Sequence, residues 1–135
     1  DELVRLQLRF IEGDSRRVHR SGPDCALIPR AAEIVGMALH ELATNSLKYG
    51  ALSVEDGRVE IEWSSEGDRF TIVWRERGGP PVAEPTHRGF GTQLIADIPG
   101  RALGGTVVHR FDPEGVAWEL TIGADNLADS ARLTD

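Results

Sequence analysis

His40-Glu41-Leu42-Ala43-Thr44-Asn45-Ser46-Leu47-Lys48-Tyr49-Gly50 closes the clearest periodic run in the chain, and its reading decides the fold. Followed back to Arg30 at about 100° per residue, the run gathers Ala31, Val35, Ala38, Leu39, Leu42, Ser46 and Tyr49 into one stripe. This predicts an amphipathic helix over Arg30–Tyr49 with one face to bury. Pro29 stands at the helix start, where a missing N–H costs nothing. Gly50 stands at the end, where a left-handed residue is cheapest as glycine.

The helix needs a second layer to cover its stripe, and the sequence beyond it supplies strands. Arg58–Ser64 and Arg69–Arg75 alternate strictly, with Val59, Ile61, Trp63 and then Phe70, Ile72, Trp74 on one face, joined by Ser65-Glu66-Gly67-Asp68. Val107–Phe111 and Ala117–Ile122 form a last hairpin through Asp112-Pro113-Glu114-Gly115. Gly91–Leu103 reads as a second helix, ended by Gly104-Gly105 and shortened or kinked by Pro99-Gly100. Upstream, Arg17–Arg20 and Cys25–Ile28 read as a short strand pair around Ser21-Gly22-Pro23-Asp24. Residues 1–11 fit a strand (Val4, Leu6, Leu8, Phe10) and a helical stripe (Leu3, Leu6, Phe10, Ile11) equally well. The expected class is α+β: a two-layer α/β sandwich, its mixed and mostly antiparallel sheet covered on one face by helices. Residues 1–123 are expected to form the domain, with 1–15 the end of a linker and 124–135 a frayed polar tail.

Composition narrows the functions. A chain of 135 residues is one ordinary domain, and 40% apolar residues suffice for a core. A net charge of −7 argues against sequence-independent nucleic-acid binding, which needs a basic surface. A polyanionic ligand would need a locally built positive field or a metal ion. The single Cys25 cannot form an internal disulfide, and a small buried residue is the favoured reading over a nucleophile. No apolar run approaches the roughly 20 residues of a membrane span, so no membrane contact is expected.

Two groupings carry chemistry. Glu41, Asn45 and Lys48 follow at i, i+4 and i+7 along the flank of the helix's apolar face. An amide oxygen at Asn45 suits a hard cation such as Mg²⁺, which takes one or two protein oxygens beside phosphates and water. Lys48, a turn on, suits a phosphate oxygen. The same three residues also describe an ordinary solvated helix edge. The second grouping is a loop rich in Gly and Pro over 77–91, where Arg77-Gly78-Gly79-Pro80-Pro81 follows Trp74-Arg75-Glu76 and Arg88-Gly89-Phe90-Gly91-Thr92 leads into the second helix. Glycines at a helix start let backbone N–H groups approach an anion, although a plain turn explains them too.

The three stretches together resemble known motifs. His40–Ser53 resembles the N box of HWE-type histidine kinases, Trp74-Arg75-Glu76 with Gly78-Gly79-Pro80 resembles their altered G1 box, and Arg88-Gly89-Phe90-Gly91 resembles their G2 box. The family takes its name from an N-box histidine and a Trp-x-Glu, matched by His40, Trp74 and Glu76. The resemblance runs from about Gly22 to Ile122. It implies the Bergerat ATP-binding fold of the GHKL ATPases, with ATP and Mg²⁺ as ligands. Position by position it implies that Asn45 ligates Mg²⁺, Glu41 sits near the metal-bound water or assists phosphoryl transfer as a polar partner, Lys48 contacts phosphate and Tyr49 borders the nucleotide. Glu76, standing where most histidine kinases carry aspartate, would accept from the adenine amine. Gly78 and Gly79 would leave room for the base, and Gly89 and Gly91 would hinge a lid bearing Arg88, Phe90 and Thr92. His40 lies about 100° from Glu41 on the wheel and reads as support for the loop after the helix.

In the family the acceptor histidine sits on dimerisation helices upstream, and through them the phosphoryl group reaches a response regulator. Nothing before His40 matches that acceptor. His19 lies in an Arg-rich stretch, so the 135 residues alone are expected to bind ATP without phosphorylating themselves. A degenerate partner-binding kinase domain and an anti-sigma-type serine kinase or GHKL ATPase are the alternatives. Intact Asn45, Glu76, Gly89 and Gly91 count against the first, and the Trp74-x-Glu76 pair against both.

Overall fold

A computed structural model describes residues 17–23, 25–81 and 95–128. The strands are β1 (Val18–Ser21), β2 (Arg58–Glu66), β3 (Arg69–Arg77), β4 (Thr106–Asp112) and β5 (Gly115–Gly123), and the α-helices are α1 (Pro29–Lys48) and α2 (Ile98–Leu103). Single 3₁₀ turns stand at Ala51–Ser53 and Ala124–Asn126. The five strands form one sheet in the order β1-β2-β3-β5-β4. β1 runs parallel to β2 and every other pairing is antiparallel. The expected mixed, mostly antiparallel sheet with helices is therefore the observed one.

Alternation sets the sheet's two faces. Val59, Ile61 and Trp63 of β2, Phe70, Ile72 and Trp74 of β3, and Trp118, Leu120 and Ile122 of β5 are all buried in one core. α1 buries Ala31, Ala32, Val35, Gly36, Ala38, Leu39, Leu42, Ala43 and Ser46. Small residues dominate this face, so the helix backbone can lie close to its partner layer. The opposite sheet face is polar and carries the Glu62–Arg75 and Glu60–Arg77 ion pairs. Arg75 and Arg77 of β3 thus turn away from the core, while the one carboxylate of the strand, Glu76, turns inward.

Three expectations change. The β2–β3 hairpin is longer than the alternation suggests, because Glu66 still pairs with Arg69 and the turn shrinks to Gly67-Asp68, with Gly67 at φ 60°. The residues around Arg17–Arg20 and Cys25–Ile28 do not pair with each other. β1 lies beside β2, and Leu27 bridges to Leu127 instead. What fixes β1 there is burial of Val18 and the close approach of the next segment to Trp63, whose indole N–H donates to the Pro23 carbonyl (2.8 Å). The start of the tail does not fray: Asn126 and Leu127 are buried, and Ile28 N–H donates to the Asn126 carbonyl (2.8 Å). Residues 129–135 and 1–16 lie outside the described residues.

The second helix is confirmed only near its end. Ile95 and Ala96 are helical, Asp97 interrupts, and α2 runs from Ile98 to Leu103, capped by Gly104 in the left-handed conformation at φ 65°. Pro99 lacks the N–H that would bond back across this break. No helix is long and apolar enough to cross a membrane among the described residues.

Candidate functional site

The end of α1, the 3₁₀ turn after it and the end of β3 meet at Glu76. Because β3 alternates, Glu76 falls on the same face as Phe70, Ile72 and Trp74, and its side chain is buried (5% exposed). A buried carboxylate must be hydrogen-bonded or it is costly. Ala51 N–H donates to Oε1 and the Trp74 indole Nε1–H donates to Oε2, each at 2.9 Å. Trp74 and Glu76 are i and i+2 on one strand, so the pleat places them side by side. Ser46 adds a second tie: its buried hydroxyl accepts from Leu52 N–H (3.1 Å).

Gly50 ends the helix for a different reason from the expected one. Its φ is −108° and not left-handed. A Cβ there would stand 2.3 Å from Glu76 Oε1, so glycine is needed to let the helix end close over the carboxylate. Ala51 is hemmed in similarly, since a Cβ on Gly79 would stand 2.6 Å from its Cα and one on Gly57 would stand 1.6 Å from its carbonyl oxygen. Gly78 takes φ 74°, a conformation that favours glycine, as the chain leaves β3. Arg17 binds this turn from below, donating to the carbonyls of Gly57 (3.0 Å), Ala51 (3.2 Å) and Val54.

The flank of α1 completes the neighbourhood. Asn45 and Glu41 are half-buried and Lys48 is exposed, while Tyr49 is 74% exposed. The Asn45 carbonyl accepts from both Tyr49 N–H (2.8 Å) and Gly50 N–H (3.2 Å), one residue before Ala51, whose N–H binds the Glu76 carboxylate. Among the described residues its side-chain amide has no hydrogen-bond partner, leaving its oxygen available to a ligand. Among the described residues there is also no group of three or more His, Cys, Asp or Glu side chains able to hold a metal. A cation here would rest on an amide oxygen together with ligand and water oxygens, the pattern Mg²⁺ favours with phosphates.

The structure therefore brings together Glu76, Gly78, Gly79 and the Asn45–Tyr49 end of α1. Arg88, Gly89, Phe90, Gly91 and Thr92 lie outside the described residues. Further along the chain, Trp118 Nε1–H donates to the Ile95 carbonyl (2.7 Å) and fixes that residue against the sheet. His40 is exposed. Sequence reasoning places Trp74 in the core and misses its indole N–H as a partner of Glu76. The period-2 spacing of the two residues is the available signal. It also misses Arg17, for which no local signal exists.

Comparison with known proteins agrees with this architecture. The chain is 47% identical over 118 residues to blue-light-activated histidine kinase 1 of Erythrobacter litoralis (strain HTCC2594), an alignment covering 84% of this chain and 31% of that protein. It spans about a third of the length of that relative. In structure it matches the histidine kinase domain of the Erythrobacter litoralis EL346 blue-light activated kinase with a TM-score of 0.70 at 18% identity, covering 91% of this chain and 59% of that one. It matches the nucleotide-free catalytic domain of the histidine kinase ThkA with a TM-score of 0.67 at 16% identity, covering 91% and 92%. No protein-family model matches the chain. The sequence is homologous to part of the blue-light-activated histidine kinases, and the fold is that of histidine kinase catalytic domains.

Proposed function

We propose that this chain binds Mg-ATP and donates the γ-phosphoryl group to a histidine on a separate dimerisation and phosphoacceptor segment, as an HWE-type kinase in two-component signalling. The observation that carries the proposal is Glu76, a buried acid beside the end of α1 that accepts from two N–H donors among the described residues. A carboxylate held this way still has acceptor capacity on each oxygen, which suits the amine edge of adenine. Gly78 and Gly79 leave the chain thin beside it. The relationship to histidine kinases and the N-, G1- and G2-like motifs support the rest.

Phosphoryl transfer needs positioning and neutralisation of charge more than covalent chemistry from the protein. The amide oxygen of Asn45 would help to hold Mg²⁺, whose charge would offset that of the phosphates. Lys48 would neutralise a phosphate oxygen, Glu41 would assist the transfer as a polar partner, and Tyr49 would border the nucleotide. Arg88, Gly89, Phe90, Gly91 and Thr92, outside the described residues, are assigned to the nucleotide by their G2-like motif. The domain works in the cytoplasm, makes no contact with nucleic acid or membrane, and reaches a response regulator through the dimerisation helices.

The test mixes the 135 residues with a separate polypeptide of phosphoacceptor helices and labelled ATP. Label is expected on the helices and on none of the 135 residues alone. Strong labelling of the isolated chain, or transfer to a serine of a supplied substrate in place of the histidine, would overturn the proposal.

A further inference from the structure

The hydrogen bonding of Glu76 has a direction that its burial alone does not explain. A carboxylate offers about four lone-pair sites, two on each oxygen. Ala51 N–H takes one on Oε1 and the Trp74 indole takes one on Oε2. Both donors are neutral, and the arginines on either side of Glu76 in β3 are paired with Glu62 and Glu60 on the other face of the sheet. The remaining capacity of Glu76 is purely accepting.

A glutamate side chain turns about three torsions and would lose its aim unless held at both oxygens. Each donor is itself rigid. Trp74 is fully buried and stands opposite Trp118 in the β3–β5 register. Ala51 lies in the 3₁₀ turn that Arg17 grips.

We propose that Trp74 is a positioning residue that sets nucleobase choice: its indole N–H locks the Glu76 carboxylate so that the free lone pairs face the pocket, admitting a ring edge that bears an amine and rejecting one that bears a keto oxygen. The inference rests on the proposed nucleotide pocket and assigns its selectivity to a residue that does not touch the ligand. Removing the indole N–H frees the carboxylate to rotate about Ala51 N–H and blunts the discrimination, while contacts to the phosphates stay as they are.

The experiment titrates the chain with Mg²⁺ complexes of ATP, purine riboside triphosphate (which lacks the exocyclic amine) and GTP. It compares the unmodified protein with Trp74→Phe and with a site-specific replacement of Trp74 by benzothienylalanine. The latter keeps the bicyclic shape and substitutes sulfur for N–H. The unmodified chain is expected to favour ATP over purine riboside triphosphate by about tenfold or more, the size of one hydrogen bond to a charged group. In the benzothienyl variant the ratio is expected to fall to about threefold or less, with affinity for purine riboside triphosphate unchanged. Trp74→Phe should do the same if it folds, and the isostere decides the matter if it does not. Unchanged discrimination in a folded benzothienyl variant removes the role of Trp74 and leaves the pocket standing. Failure of the unmodified chain to bind any of the three nucleotides overturns the proposed function and this inference with it.

Discussion

Replacing Gly50 with alanine adds one methyl group where α1 closes over Glu76. The backbone accommodates it, since φ −108° and ψ −150° are open to any L residue. The space does not: the new Cβ would lie 2.3 Å from Glu76 Oε1, 3.3 Å from its Cδ and 3.1 Å from Ser46 Cα. A flexible acid at the surface would swing away at little cost, but Glu76 is 5% exposed and tied at both oxygens. Reaching ordinary contact means moving Oε1 by about an ångström and breaking or stretching both bonds. Each is a hydrogen bond to a charged group, about 1.5–3 kcal/mol. Gly50→Ala is therefore expected to destabilise the chain by about 3–5 kcal/mol, a large share of the roughly 5–15 kcal/mol that holds a domain together. In a thermal scan this is a fall of about 10 °C or more. Urea melts of a double-mutant cycle with Glu76→Ala isolate the cause. With the carboxylate gone, Gly50→Ala should cost less than about 1 kcal/mol, giving a coupling of at least about 2 kcal/mol. Equal cost in both backgrounds would refute the close packing of Gly50 on Glu76.

Three further changes probe other links. Asn45→Ala should leave the melting temperature without nucleotide nearly unchanged, because the side chain is half-buried and makes no hydrogen bond among the described residues. It should remove the Mg²⁺-dependent part of the stabilisation by ATP, which at 100 times Kd amounts to about 2.7 kcal/mol. Arg17→Ala should cost about 1–3 kcal/mol by releasing the carbonyls of Ala51, Val54 and Gly57. Arg17→Lys should recover little of it, because one ammonium cannot reproduce the guanidinium fork; both are read by urea melts. Leu127→Ala should cost about 2–4 kcal/mol in the same melts, as for a core leucine, since Leu127 is 2% exposed and paired with Leu27. A change below about 0.5 kcal/mol, the scale of ordinary surface substitutions, would restore the frayed tail.

The parts of the fold that are legible in the sequence are those whose signal is local and repeated. Val59, Ile61 and Trp63, then Phe70, Ile72 and Trp74, alternate without a break, and the stripe from Ala31 to Ser46 fits one helix. Each repeats the same information several times, so one ambiguous residue does not change the answer. β1 and the residues after Gly123 defeat that reading because a single buried side chain, Val18 or Leu127, decides each, and its partner lies distant in the chain. Gly50 is legible as a position for glycine, but for the wrong reason: the sequence shows that a helix stops, whereas only the fold shows the carboxylate that excludes a Cβ. Trp74 illustrates the same limit. Its ring follows the alternation, yet its N–H finds Glu76 only once the pleat is drawn. Among the site residues, Glu76, Gly78, Gly79 and the Asn45–Tyr49 flank are brought to one place, whereas Arg88–Thr92 fall outside the described residues.

Calorimetric titration of the 135-residue chain with ATP, in the presence and absence of Mg²⁺ and alongside Glu76→Ala, tests the central claim most directly. One saturable site is expected, strengthened by Mg²⁺ and weakened by Glu76→Ala by about tenfold or more, the loss of one hydrogen bond to a charged group. No detectable heat up to millimolar ATP, in a protein shown to be folded, would contradict it. Binding that is indifferent to both the metal and Glu76 would do the same.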